Sequence, residues 1–64
     1  MANFYRDLTK ILNEHGYAFF RPAKGDHEIW QNAHSGKKVT VDAGISSRHT
    51  GNEILKKAGL PKAF

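Results

Sequence analysis

The chain has 64 residues, with ten lysines and arginines, six acidic residues, four histidines and no cysteine. This length predicts one domain over residues 1–64, and the lack of cysteine excludes disulfide frameworks and thiolate metal sites. No apolar run approaches the roughly 20 residues that span a bilayer. The N-terminal segment contains acidic residues and has no unbroken apolar core, so it is not expected to be a signal peptide, and we expect a cytoplasmic protein. The net charge of +4 predicts an anionic partner, either nucleic acid or an acidic protein.

The first predicted element is a helix from about Phe4 to His15. Its apolar residues recur at the spacing of one helical face. Asn3 can cap the start of this helix, and Gly16 can end it in a left-handed conformation. The apolar stripe consists of Phe4, Leu8, Ile11 and Leu12.

Three short strands are predicted next, separated by a loop at residues 23–26 and a turn at residues 34–37. Pro22 ends the first strand or places it at a sheet edge, because proline cannot donate to the ladder. In the second strand, alternation places His27, Ile29 and Gln31 on one face and Glu28, Trp30 and Asn32 on the other. The predicted strands are Tyr17–Arg21, His27–Asn32 and Lys38–Asp42.

A second helix is predicted near the end of the chain. Thr50 and Glu53 have the spacing of a capping box, which predicts the helix start at Thr50. Gly59 is expected to end the helix, and Pro61 prevents its continuation. The apolar side consists of Ile54, Leu55, Ala58 and Leu60.

These elements predict an α+β domain of order α-β-β-β-α. Both helices are expected to pack on one face of a three-stranded antiparallel sheet. The other face is expected to stay open, as antiparallel sheets allow. An open sheet face beside a basic loop is a surface on which another molecule can bind.

The four histidines are the first candidates for chemistry, because histidine titrates near neutral pH. His15 is expected to complement a helix end, and His34 to be an exposed turn residue. His49 precedes the predicted last helix, where it either meets a phosphate or is simply solvated. The separations of the histidines match no short metal-ligand spacing, so we expect no metal and no cofactor.

His27 stands in a different context from the other three. It opens a strand directly after Gly25 and Asp26, with Lys24 and Arg21 just before them. The glycine permits close approach of another backbone, and the two cations can bind phosphate. On residue types alone, a strand-end histidine beside a turn remains the simpler explanation.

Aromatic residues offer a second kind of candidate. Trp30 and the pair Phe19 and Phe20 can stack nucleobases, although a core this small also needs aromatic side chains. No Gly-x-Ser-x-Gly elbow and no phosphate-binding glycine-rich loop occur. The residues by themselves therefore indicate a small basic α+β domain and favour nucleic-acid binding.

Three segments of the chain resemble the HicA family of bacterial toxins. They read Gly-Asp-His-Glu-Ile-Trp at 25–30, Val-Thr-Val at 39–41 and Ile-Leu-Lys-Lys-Ala-Gly-Leu at 54–60. The resemblance covers nearly the whole chain. It implies a fold like that of double-stranded-RNA-binding domains, an mRNA interferase activity and neutralisation by a HicB-type antitoxin.

The resemblance also implies which histidine is functional. The histidine of the family's Gly-Ser-His motif corresponds to His27. This chain differs from the family pattern in having Asp26 in place of the usual serine. It also has Asp42-Ala43-Gly44 where many members carry a proline and a second histidine.

We therefore expect metal-independent RNA cleavage with His27 as general base on a ribose 2′-hydroxyl. Lys24 and Arg21 are expected to stabilise the phosphorane charge, with Gly25 and Asp26 as supporting residues.

At the last helix, Arg48 and His49 are expected to bind RNA, and the general acid is either His49 or water. Two alternatives stay open: an RNA-binding module without catalysis, and a protein whose important surface faces an antitoxin.

Overall fold

The computed structural model describes residues 4–64. It has the predicted α-β-β-β-α order and confirms the α+β fold class. Asn3, the expected cap of the first helix, lies outside the described residues. The elements are α1 (Phe4–Glu14), β1 (Tyr17–Pro22), β2 (His27–Asn32), β3 (Lys38–Asp42) and α2 (Arg48–Lys57).

The three strands form one antiparallel sheet in the order β1-β2-β3, so β2 is central. Pro22 is the last residue of β1, an edge strand, where a missing backbone donor does little harm. The pairing of β1 with β2 shifts register between Phe19 and Arg21. Phe20 is the extra residue of this bulge and has no partner on β2.

Both helices pack on one face of the sheet, and the core lies between them and the strands. In β3 the buried residues Val39 and Val41 alternate with the exposed Lys38 and Thr40. The second face of the sheet, which carries Lys38 and Thr40, is therefore open as predicted. The fully buried side chains are Leu8, Leu12, Val41 and Leu55.

Helix α1 ends at Glu14, one residue earlier than predicted. His15 lies in the following turn, where its Nδ1 donates to the carbonyl of Ile11 at 2.9 Å. Gly16 has a φ of 89°, the left-handed conformation expected at this helix end. His15 thus satisfies a helix carbonyl, in agreement with its predicted structural role.

The predicted start of α2 at Thr50 is wrong, because the helix begins at Arg48. Ser47 is the N-cap residue, and its hydroxyl accepts a hydrogen bond from the backbone N–H of His49 at 3.2 Å. Ile45, two residues before this cap, is buried in the core. Thr50 lies inside the first turn, where it does not act as the cap.

The end of α2 is as predicted. Gly59 has a φ of 78°, and its N–H donates to the carbonyl of Lys56 at 3.0 Å. The N–H of Leu60 donates to the carbonyl of Leu55 at 2.8 Å, which completes a Schellman motif. Within residues 4–64, neither helix is long and apolar enough to cross a membrane.

Candidate functional site

The candidate residues gather where β1 and β3 end and β2 begins. We call this region, residues 21–28 and 42–49, the His27 end of the sheet. His27 is the first residue of β2 and pairs with Asp42, the last residue of β3. Its side chain is exposed, and strand alternation places it on the open face together with Ile29.

Two backbone hydrogen bonds hold the loop before His27. The N–H of His27 donates to the carbonyl of Lys24 at 3.2 Å, and the N–H of Ala23 donates to the carbonyl of His27 at 2.8 Å. Gly25 has a φ of 65°, which favours glycine. An ideal Cβ at Gly25 meets no atom within 4 Å, so the space beside this glycine is open, and close approach of another backbone stays a prediction.

Two exposed cations precede His27. Arg21 pairs with Ile29 across the ladder and so shares the open face with His27. Its Nη1 makes a long contact of 3.4 Å with the carbonyl of Pro22. The side-chain ammonium of Lys24 has no hydrogen bond or ion pair with any residue in 4–64. Both charges are therefore accessible to an anion.

Asp26 does not contact the His27 ring through a hydrogen bond in the described part of the chain. Its backbone carbonyl accepts from the N–H of Ala43 at 2.8 Å, which extends the pairing of β2 and β3. The Asp26 carboxylate lies near Gly44. Its Oδ2 is 3.7 Å from the position that a Cβ on Gly44 would occupy. A role for Asp26 in orienting His27 stays a prediction.

Glu28 is a residue that the sequence analysis missed. Its Oε1 accepts two hydrogen bonds, from the Tyr5 hydroxyl at 2.7 Å and from Trp30 Nε1 at 3.1 Å. The hydrogen bond to Glu28, then partial burial, then the Glu28 charge raise the pKa of Tyr5 above its ordinary value. These contacts join α1 to the start of β2, directly beside His27.

A signal for this contact was present in the sequence. Alternation places Glu28 on the helix-facing side of β2 together with Trp30. A carboxylate on such a face needs hydrogen-bond donors, because burying an unpaired charge is costly. The donor Tyr5 is 23 residues away in sequence, so its identity required the tertiary structure.

Arg48 and His49 are exposed at the first turn of α2. Only residues 43–47 separate them from the end of β3, so the chain connection places them at the His27 end. The His49 ring has no hydrogen-bond partner within residues 4–64. It borders a groove of about 350 Å³ along α2 that Lys56 and Lys62 also line.

The aromatic candidates have different environments. Trp30 is 6% exposed and belongs to the core, so it is not available to stack a base. Phe19 is 51% exposed and meets Trp30 edge to face, with ring centroids 6.3 Å apart. Phe20 is 48% exposed, and Lys38 Nζ lies 5.0 Å from its ring centroid.

The histidines and acidic residues are also candidate metal ligands. No group of three or more histidines and acids in residues 4–64 is arranged to hold a metal ion. His34 is exposed in the turn between β2 and β3, as expected. The His27 end therefore offers an accessible imidazole and accessible cations, which can accept a proton and bind phosphate.

Comparison with known protein families gives a match over most of this chain. A family model described as "HicA toxin of bacterial toxin-antitoxin" matches residues 5–60. This range includes every residue of the His27 end and the three segments that carried the resemblance. Comparisons with curated proteins and with solved structures gave no match.

Proposed function

Since this chain belongs to the HicA toxin family, we propose that it is a metal-independent endoribonuclease that cleaves mRNA. Residues 1–64 act as one toxin domain, and the site of action is the cytoplasm, where mRNA is found. A HicB-type antitoxin binds and neutralises the toxin in a hetero-oligomer. Family membership supports the toxin role, and the exposed imidazole and cations of the His27 end support RNA cleavage.

The observation that carries the catalytic proposal is the exposure of His27 on the open face, between accessible cations. Arg21 lies across the ladder from Ile29, two residues along β2 from His27, and Lys24 lies in the loop just before it. An imidazole nitrogen is suited to accept a proton near neutral pH. Cations in fixed positions stabilise the negative charge that develops on a phosphate.

In the proposed reaction, a neutral nitrogen of His27 accepts the proton of a ribose 2′-hydroxyl. The 2′-oxygen then attacks the adjacent phosphorus, and the bond from phosphorus to the 5′-oxygen breaks. The products are a 2′,3′-cyclic phosphate and a free 5′-hydroxyl, whose proton comes from either water or the His49 imidazole. A positioned general base of this kind contributes about 10²- to 10⁴-fold to the rate.

Charge supports the proposed protein partner. The net charge of +4 suits an acidic antitoxin, and an antitoxin that covers the His27 end excludes RNA from it. Co-expression with the product of the neighbouring open reading frame tests this partner. We expect the two chains to co-purify and growth arrest to be relieved; a toxin that stays alone and active contradicts the partner.

The test of the activity is inducible expression of the wild type, His27→Ala and His34→Ala. His34 is the matched control because it is an exposed histidine at the opposite end of the sheet. We expect the wild type and His34→Ala to arrest growth and deplete mRNA, and His27→Ala to do neither. A His27→Ala protein that still cleaves RNA and still stops growth contradicts the proposal.

One observation favours a second candidate function, RNA binding without catalysis. The His27 ring has no hydrogen-bond partner in residues 4–64, whereas a catalytic histidine usually has a neighbour that orients it. Time-resolved gels of the purified wild type with RNA separate the two functions. An RNA-binding module shifts the band without shortening it, and an endoribonuclease produces shorter fragments.

A further inference from the structure

The open face of the sheet carries an aromatic ring and a cation in contact. Phe20 is 48% exposed, and Lys38 Nζ lies 5.0 Å from its ring centroid. Because the strand order is β1-β2-β3, Lys38 on β3 must reach across the central strand to meet Phe20 on β1. The pair therefore bridges the whole width of the sheet on the side away from the helices.

The bulge in β1 sets the position of Phe20. The residues on either side of it, Phe19 and Arg21, pair with Trp30 and Ile29 of β2, while Phe20 has no partner. His27 lies two residues from Ile29 on the same face, which corresponds to roughly 7 Å along the strand. The Phe20 ring is consequently close enough to His27 for one RNA segment to contact both.

Phe20 contributes little to the core of the fold. Five partly buried hydrophobic residues pack against the buried cluster, and Phe20 is not among them. Its neighbour Phe19 does contact the core, through the edge of Trp30. The Phe20 ring contacts Lys38 on the open face. An exposed phenyl ring beside a cation is suited to stack a base.

We propose that the open face binds single-stranded RNA, with one base stacked on Phe20 and Lys38 on a neighbouring phosphate. This inference rests on the proposed function and adds to it a base-stacking subsite, formed by Phe20 and Lys38, on the face that carries His27. Arg21 and Lys38 give the face positive charge, which complements the RNA backbone. Stacking on Phe20 requires an unpaired base, because the bases of a duplex already stack on one another.

The test measures RNA affinity separately from cleavage. Fluorescence anisotropy is recorded with a single-stranded oligonucleotide whose 2′-oxygens are methylated, so that no variant can cleave it. We expect Phe20→Ala to weaken binding about 5- to 100-fold, the range for loss of one stacked base. Phe20→Trp is expected to retain the affinity, because it keeps an aromatic face.

Two further variants sharpen this test. Phe19→Leu is the matched control, since Phe19 is the adjacent and equally exposed ring, and we expect it to bind nearly as the wild type does. Lys38→Gln is expected to lower the slope of log affinity against log salt by about 1. Phe20→Leu, which keeps apolar bulk without a stacking face, replaces Phe20→Ala if thermal melting shows that Phe20→Ala is unfolded.

Several outcomes overturn the inference. These are no binding of single-stranded RNA by the wild type, unchanged affinity in the Phe20 variants, and equal losses in Phe19→Leu and Phe20→Ala. A Phe20 variant that loses affinity for the antitoxin and keeps its affinity for RNA also overturns it. The proposed catalysis fails separately: a wild type that binds with dependence on Phe20 and does not cleave unmethylated RNA contradicts catalysis alone.

Discussion

The two ends of the sheet use their polar side chains differently. At the end opposite His27, Asn32 Nδ2 donates to the carbonyl of His15 at 3.0 Å. Asn32 Oδ1 accepts from the N–H groups of His34 at 2.8 Å and Ser35 at 2.9 Å. One side chain there joins the end of α1 to the turn between β2 and β3.

At the His27 end, the open face lacks such connections. The His27 ring and the Lys24 ammonium have no hydrogen-bond partners in the described residues. Polar groups that hold the backbone contribute to stability, whereas accessible polar groups without partners are available to a ligand. Substitutions at the end of the sheet that contains Asn32 should therefore affect folding. Substitutions on the open face at the His27 end should affect function.

Glu28→Ala is expected to have the largest effect on stability. Glu28 lies on the helix-facing side of β2, so this variant separates the stabilising role of that face from the functional role of the open face that carries His27. It leaves the Tyr5 hydroxyl and Trp30 Nε1 without their acceptor, so we expect the free energy of unfolding to fall by about 2–3 kcal/mol. In a domain this small, the melting temperature should fall by roughly 10–20 °C. Thermal unfolding followed by circular dichroism measures this change.

The matched control for Glu28 is Glu53→Ala. The side chain of Glu53 is exposed and has no hydrogen bond or ion pair with residues 4–64. Its removal is expected to change the free energy of unfolding by no more than about 0.5 kcal/mol. Equal melting temperatures for the two variants would show that the contacts of Glu28 do not stabilise the fold.

Asn32→Ala is expected to lower the free energy of unfolding by about 1–2 kcal/mol, because exposed hydrogen bonds contribute modestly. RNA cleavage per folded molecule should stay at the wild-type level. Chemical denaturation measures the first quantity, and initial cleavage rates measure the second. His27→Ala is the counterpart, with normal stability and lost cleavage; if both variants lost stability equally, the contrast between the two ends would be wrong.

Tyr5→Phe should lower stability by about 1 kcal/mol near neutral pH, because one hydrogen bond to a carboxylate is lost. The pKa of Tyr5 is raised in the folded protein, so its contribution is fully present below the ordinary tyrosine value of about 10. As pH rises above that value, the unfolded chain releases its proton first and the contribution is lost.

The difference in melting temperature between the wild type and Tyr5→Phe should therefore shrink in alkaline buffer. Parallel melting curves from neutral pH to about pH 11 measure it. A difference that stays constant or grows with pH would contradict the raised pKa of Tyr5.

Lys24→Gln is expected to have the smallest effect, a loss of a few-fold in RNA affinity with unchanged stability. The slope of log affinity against log salt should fall by about 1. Lys10→Gln is the control, since Lys10 is an exposed lysine on α1, which packs on the helix-covered face. If both variants lowered the slope equally, the positive charge would act over the whole surface rather than at the His27 end.

Most of the fold could be predicted because its signals are local. The bounds of β2 and β3 are as predicted, and β1 is longer by Pro22 alone. Gly16 and Gly59 end their helices because each has the left-handed backbone that glycine favours. The predicted start of α2 was wrong because Thr50 and Ser47 have similar capping chemistry, and it is Ser47 that caps the helix.

The candidate site was predictable only in part, because only some of its contacts lie between residues that are close in sequence. The placement of His27 behind Gly25, with Arg21 and Lys24 nearby, can be read directly from neighbouring residues. The hydrogen bond that Glu28 accepts from Tyr5 could not be predicted, because Tyr5 lies in α1, 23 residues away in sequence.

The sequence alone determined the order of elements, the face of β2 that carries His27 and the positive charge around it. Apolar periodicity and the glycine and proline positions encode these features within a few residues. Only the tertiary structure decided which of the three aromatic residues lies exposed on the open face. Trp30 is buried, Phe19 meets its edge, and Phe20 lies on the open face. The physical reason is that the bulge in β1 and the packing of the helices involve contacts between segments far apart in sequence.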